Sequence, residues 1–375
     1  MTTETQPTRV KDYIKETLPW LHGHQLKGIA TFVEAIIERQ TGCQAELART
    51  QGNQEAAVKR LSRLLHNERL EVAEFPKWLS RQILNTLPSK GKIRVTLDWT
   101  IEADQHLLVV SVVIGRRSLP IFWRAYQQSV LKGRMKIYEL AIIKRAFKLI
   151  FAQVDSSRIY LSADRGFADE GLLELLESLG IRYVIRVKGC TKVEFDGAWS
   201  KLNQLRFDRN ARRRNLGWIR YCQSSPHAVW VTMSRARNKN RQWGIWCLVS
   251  NVRLSAQQAA NAYGFRFCCE EGFRDAKWYL GFAEARIDDI HAWSRLFALF
   301  VLALCALTAL GMAILICGGA RARLLLRRVI SRRRHRCELS LIAALLALLQ
   351  CDKSLFDALS VNTPFRLDAS LANVS

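Results

Sequence analysis

Three acids in separate stretches are placed to do chemistry together: Asp98 in RVTLDWTI (94–101), Asp164 in RIYLSADRGFAD (158–169) and Glu270 in AYGFRFCCEEGFRDAKW (262–278). In the first stretch, strand alternation puts Val95, Leu97, Trp99 and Ile101 on one face and Thr96, Asp98 and Thr100 on the other. A carboxylate in mid-strand is costly unless compensated, by a bound cation or by an Arg or Lys partner. Asp164 ends a β-like run just before a turn through Gly166. In open α/β sheets, sites form at the carboxyl ends of strands. An Asp in such a place also caps turns and helices.

The third stretch holds Glu270, Glu271 and Asp275 among Arg266, Arg274 and Lys277. A helix advances about 100° per residue, so with Tyr263 at zero Arg266 falls at about 300°, Lys277 at about 320° and Glu270 at about 340°. Glu271 falls at about 80° and Asp275 at about 120° on the same wheel. Helix phase thus selects Glu270 and leaves Glu271 and Asp275 as helix-surface charges. An acid flanked by Arg and Lys on one face suits a site for a cation and a phosphate. An exposed face of helical ion pairs shows the same pattern.

The elements that must position these acids follow from hydrophobic period. Ile93–Ile101, Leu107–Ile114 and Leu119–Tyr126 read as an antiparallel meander. Tyr138–Phe151 reads as a helix, Arg158–Ala163 as a strand, Glu170–Leu179 as a helix and Tyr183–Val187 as a strand. That order is the one found in a ribonuclease-H-like core. Residues 190–250 read as a basic β insertion, with eleven Lys or Arg against one acid, Asp208, between Lys201 and Trp243. Helix resumes at about Ser255 and runs through the third stretch, AYGFRFCCEEGFRDAKW. The fold expected is α/β: a core in two parts (91–189 and 251–295) interrupted by the insertion, behind a helical region (1–90) and before a helical C-terminal region (296–375).

Within residues 1–90, Leu26, Ile29, Phe32, Val33, Ile36 and Ile37 recur at helical spacing. A short helix, a Gly52-Asn53 break and a basic second helix then make a helix-turn-helix-like unit or an ordinary amphipathic pair. Lys59, Arg60 and Arg63 are its candidate DNA contacts, with Leu61, Leu64 and Leu65 facing inward.

Composition points the same way. The chain has 375 residues and a net charge of +24, which suits a polyanionic partner, nucleic acid before an anionic membrane. Ten cysteines without a C-x-x-C motif read as reduced and mostly buried, in a cytoplasmic protein. The beginning of the sequence lacks the apolar segment of a signal peptide. Leu296–Cys317 is 22 residues without a charge, and eight arginines follow in Arg321–Arg336. That is the pattern of a membrane span with a positive flank, or of a buried core helix, and the second reading is preferred because only one such span exists.

Tyr263-x2-Arg266-x3-Glu270-x6-Lys277 resembles the Y-R-E-K signature of bacterial DDE transposases of insertion-sequence family four. Phe273 matches an aromatic usual in that motif, while Phe267 stands where a Trp is common. TLDWT around Asp98 and ADRGF around Asp164 resemble the family's two Asp motifs, and the similarity spans roughly residues 45–295. The resemblance implies that Asp98, Asp164 and Glu270 hold two Mg²⁺ ions, with Mn²⁺ a possible substitute and Asp98 the bridging ligand. It implies metal-dependent cleavage and strand transfer at transposon ends. It implies double-stranded end and target DNA as substrates, and a homodimer on paired ends. Arg266 and Lys277 would hold phosphates, Tyr263 would touch the DNA backbone, and Trp243 or Trp246 would stack on a displaced base. The rival readings are a nuclease that cuts without joining, a non-catalytic DNA-binding inhibitor and a membrane-anchored basic protein.

Overall fold

The meander forms in the computed structural model as β1 (Ile93–Glu102), β2 (Gln105–Ile114) and β3 (Arg117–Gln127). The structure describes residues 9–49, 52–115, 117–205, 207–208, 211–224, 226–237, 242–317, 331–333, 336–337 and 340–363. Every residue of β2 is buried, so helices cover both faces of the sheet there and strict alternation gives way to an apolar run over Leu107–Ile114 broken only at Ser111.

A short helix α6 (Gln128–Leu131) and α7 (Met135–Phe151) lead to β4 (Ile159–Ala163), which pairs in parallel with β1. Next comes α8 (Glu170–Ser178), started by Asp169, whose carboxylate accepts from Leu172 N at 3.1 Å. Then β5 (Arg182–Val187) pairs in parallel with β4.

The basic segment is β-rich: β6 (Lys192–Phe195), β7 (Ala198–Lys201), β8 (Arg213–Tyr221), β9 (His227–Arg237) and β10 (Trp243–Ser250). These strands continue the same sheet, because β10 pairs antiparallel with β5, Ser250 opposite Val184. The result is a ten-stranded sheet in the order β3-β2-β1-β4-β5-β10-β9-β8-β6-β7.

The chain then crosses that sheet as α9 (Ala256–Gly264), which begins with a capping box between Ser255 and Gln258. It continues as α10 (Phe267–Arg274) and a single π-helical turn, Asp275–Tyr279.

The N-terminal region is helical: α1 (Arg9–Thr17), α2 (Gly23–Arg39), α3 (Gln44–Ala48), α4 (Gln54–Leu65) and α5 (Glu74–Asn85). The six apolar residues of α2 named above are all buried. On α4, Leu61 and Leu65 are buried, Leu64 is half-buried, and Lys59, Arg60 and Arg63 are exposed.

The uncharged stretch is the core of α11 (Ile290–Cys317), which packs on α2, β3 and α12 (Leu341–Cys351). By length and composition it could cross a membrane, yet its apolar window is wholly buried in the protein. Phe297 meets Trp123 of β3 edge to face at 5.5 Å. Arg295 at its start is buried and donates to the carbonyls of Leu65 at 2.9 Å and Leu70 at 2.8 Å. A charge is tolerated there because it closes the C-terminal end of α4. Most of the arginine run Arg321–Arg336 lies outside the described residues. The cysteines need a correction: of the eight described only Cys247, Cys268, Cys269 and Cys305 are buried, and Cys190 and Cys351 are exposed.

Candidate active site

The parallel register of β1 and β4 brings the first two acids together. Leu97 pairs with Ala163, so the next residues, Asp98 and Asp164, emerge side by side from neighbouring strands. The helix α9 lies over the same face. Ser162 Oγ donates to Ala262 O at 3.1 Å, and Tyr263 packs with Val184, Leu248 and Ala259. The buried Tyr263 hydroxyl donates to Asp164 Oδ1 at 3.0 Å. Burial pushes this phenol up to about 12, so it stays a proton donor at neutral pH.

The helix carrying Glu270 is interrupted. At Phe265–Arg266 it tightens into i→i−3 bonds, Phe265 N to Ala262 O at 3.2 Å and Arg266 N to Tyr263 O at 2.9 Å. This drops the Arg266 side chain into the site, where it is 5% exposed. Its guanidinium donates to Glu270 Oε1 at 2.5 Å and lies 3.7 Å from Asp98 Oδ2. It also stacks on Phe267 at 4.4 Å, as a cation on an aromatic face. All three acids therefore meet donors from one short segment: Asp164 meets Tyr263, and Asp98 and Glu270 meet Arg266.

Asp98 shows how closely these charges are gathered. Burial pushes its carboxyl up to about 6, Arg266 and the Trp99 N–H oppose that rise, and the charges of Glu270 and Asp164 add to it. Among the described residues no group of three or more His, Cys, Asp or Glu is gathered as a ready-made metal cage. The donor set is nonetheless hard carboxylates, with the charges of Glu270 and Asp164 acting on Asp98, a chemistry that suits a hard divalent cation.

The remaining expected residues divide. Lys277, on the π turn, forms an ion pair with Glu102 at the end of β1. Trp246 packs against Tyr263 at 5.1 Å and Phe267 at 5.8 Å, beside the acids. Trp243 falls on the opposite face of β10 by alternation and is 59% exposed. Lys59, Arg60 and Arg63 stand apart: α4 packs on α2, α3 and α11, none of which carries one of the three acids, and Lys59 pairs with Glu55 at 2.6 Å.

Glu271 points away from the acids, to Arg117 at 2.7 Å and Arg274 at 3.0 Å. Asp275 is not a surface charge, as helix phase suggested. It is 1% exposed, 3.6 Å from Arg117, and burial pushes its carboxyl up to about 6. Here the π turn begins, and β3 with its Arg117 covers the helix at this point.

Sequence reasoning missed Arg186. It lies on β5 with its guanidinium 5.9 Å from the Trp246 ring, on the face that carries Tyr263. Its signal was available: a charge inside an apolar strand, the same anomaly that singled out Asp98. Arg94, stacked at 3.8 Å on Phe265, was missed in the same way.

No curated protein matches the chain. Residues 139–308, which include Asp164 and Glu270 and begin after Asp98, match the family model described as transposase DDE domain, and that match supports a DDE transposase.

Proposed function

We propose that the chain is a DDE transposase of insertion-sequence family four, cutting DNA at insertion-sequence ends and joining those ends to a target. The observation that carries this is the convergence of Asp98, Asp164 and Glu270, from two strands and a helix, on Arg266 and Tyr263. The β3-β2-β1-β4-β5 order, antiparallel then parallel, supports a ribonuclease-H-like core that β6–β10 extend as an insertion. The net charge of +24 supports a DNA partner.

In this reading Asp98, Asp164 and Glu270 hold divalent cations, two Mg²⁺ or Mn²⁺ in their place, with Asp98 central between the other two. Bound there, such cations supply Lewis-acid activation of an attacking water or 3′-hydroxyl and stabilisation of the leaving oxygen. The chain's own residues position the DNA. Arg266 and Lys277 take phosphate oxygens, while Tyr263, expected from the sequence to touch the DNA backbone, is fully buried and instead keeps Asp164 oriented. Trp246, with Arg186 beside it, offers a stacking face for an unpaired base. A homodimer would hold two ends together, in the bacterial cytoplasm on the nucleoid.

The test is cleavage of end DNA with Mg²⁺. Asp98→Asn, Asp164→Asn and Glu270→Gln should each abolish cleavage and leave end binding intact. Glu271→Gln, which faces Arg117 and Arg274, should cleave nearly as the natural protein does. Full activity in Glu270→Gln refutes the assignment. Supplying pre-cut ends with target DNA separates the nuclease reading, because only a transposase yields joined products.

A further inference from the structure

The donors on the three acids come from the chain itself. Arg266 is almost fully buried yet incompletely satisfied: its Nη atoms face Glu270 and Asp98, and its Nε is buried without a partner among the described residues. A structural arginine at this depth would be expected to use its donors fully. Its guanidinium lies over the Phe267 ring at 4.4 Å and 5.7 Å from the Tyr263 ring. Phe267 is 37% exposed, so that ring leads from the buried acids toward solvent, where DNA would lie.

We propose that Arg266 is an internal counter-ion that occupies the cation site of Asp98 and Glu270 before DNA binds, and that cation loading expels it toward the phosphate backbone. The inference rests on the assignment of these acids as cation ligands. A single positive charge near both carboxylates neutralises part of their repulsion and keeps them together. A divalent cation must compete with it, so binding of metal alone is weak. Binding becomes strong when a phosphate is present to receive the guanidinium. Metal and DNA thus favour each other's binding, by one side chain that either can displace or accept.

The experiment uses the full chain without DNA and measures Mn²⁺ binding by loss of the free-ion electron paramagnetic resonance signal. Arg266→Met should bind Mn²⁺ about tenfold or more tightly than the natural protein, a change of about 1.4 kcal/mol or more. Arg266→Lys, which keeps the charge, should stay near the natural affinity. Unchanged or weaker binding in a folded Arg266→Met overturns the proposal. Should that variant not fold, the natural protein gives the answer: phenylglyoxal labelling of Arg266, mapped by mass spectrometry, should rise on adding Mg²⁺. Labelling that stays flat or falls overturns the proposal. Glu270→Gln distinguishes the two levels of inference. If it binds Mn²⁺ as the natural protein does, Glu270 is not a ligand, and the assignment of the three acids and the proposal resting on it fail together. If it loses Mn²⁺ while Arg266→Met gains nothing, the counter-ion role alone fails.

Discussion

Gly272→Ala isolates how α10 is seated, because Gly272 lies two residues beyond Glu270 and faces β3. A Cβ at this position would meet Ser118 Oγ at 2.6 Å and Ser118 O at 2.7 Å. The hydroxyl could rotate, but the carbonyl is part of β3 and cannot. Reaching an ordinary contact of 3.4 Å requires α10 to lift by about 0.7 Å. Two effects oppose each other. Alanine in a helix interior is worth about 1 kcal/mol over glycine. Overpacking against fixed backbone costs about 1–3 kcal/mol. The contact with backbone decides the sign, so urea melts should show a net loss of up to about 2 kcal/mol. A lift of this size also moves Glu270 relative to Asp98, and cleavage should fall by about tenfold or more. Adding Ser118→Ala should restore only part of each loss, since the carbonyl remains. An equally or more stable Gly272→Ala protein with unaltered cleavage would refute the reasoning.

Asp275→Asn should stabilise the protein at pH 7 and above by up to about 3 kcal/mol, because burial has raised the carboxyl from 3.8 to about 6 and the folded state pays for its charge. The natural protein should recover that stability as pH falls from about 6 toward 4, while the variant shows no such gain; parallel pH–stability curves would count against it. Replacing Lys59, Arg60 and Arg63 together with alanine should reduce the slope of log K against log salt for DNA by up to about 3, and an unchanged slope would remove α4 from the DNA interface.

What the sequence revealed followed from how local the cause was. The β1–β3 meander was legible because alternation and short turns act within a few residues. The burial of α11 was legible because an uncharged run of that length has few places to go. The joining of β10 to β5 was not legible: Ser250 pairs with Val184, far away in the chain, and no local period records a partner. Asp275 failed for a related reason. Helix phase says which way a side chain points, not whether another element covers it, and here β3 with Arg117 does.

The candidate site raises a sharper question, since a uniform helix put Glu270 beside Arg266, where the structure has it, although the helix is not uniform. The tight turn at Phe265–Arg266 overwinds the chain, and the π turn at Asp275–Tyr279 underwinds it. The two errors have opposite signs, so they partly cancel by Lys277, which still reaches β1 at Glu102. They do not cancel between the two irregularities, where Glu270 sits. There the tight turn matters: it seats Tyr263 on one acid while Arg266 lies between the other two. A regular helix would have put the same four residues on one face but would not account for the burial of a guanidinium among carboxylates. The irregularity, more than the periodicity, thus marks the place where a guanidinium is buried among carboxylates.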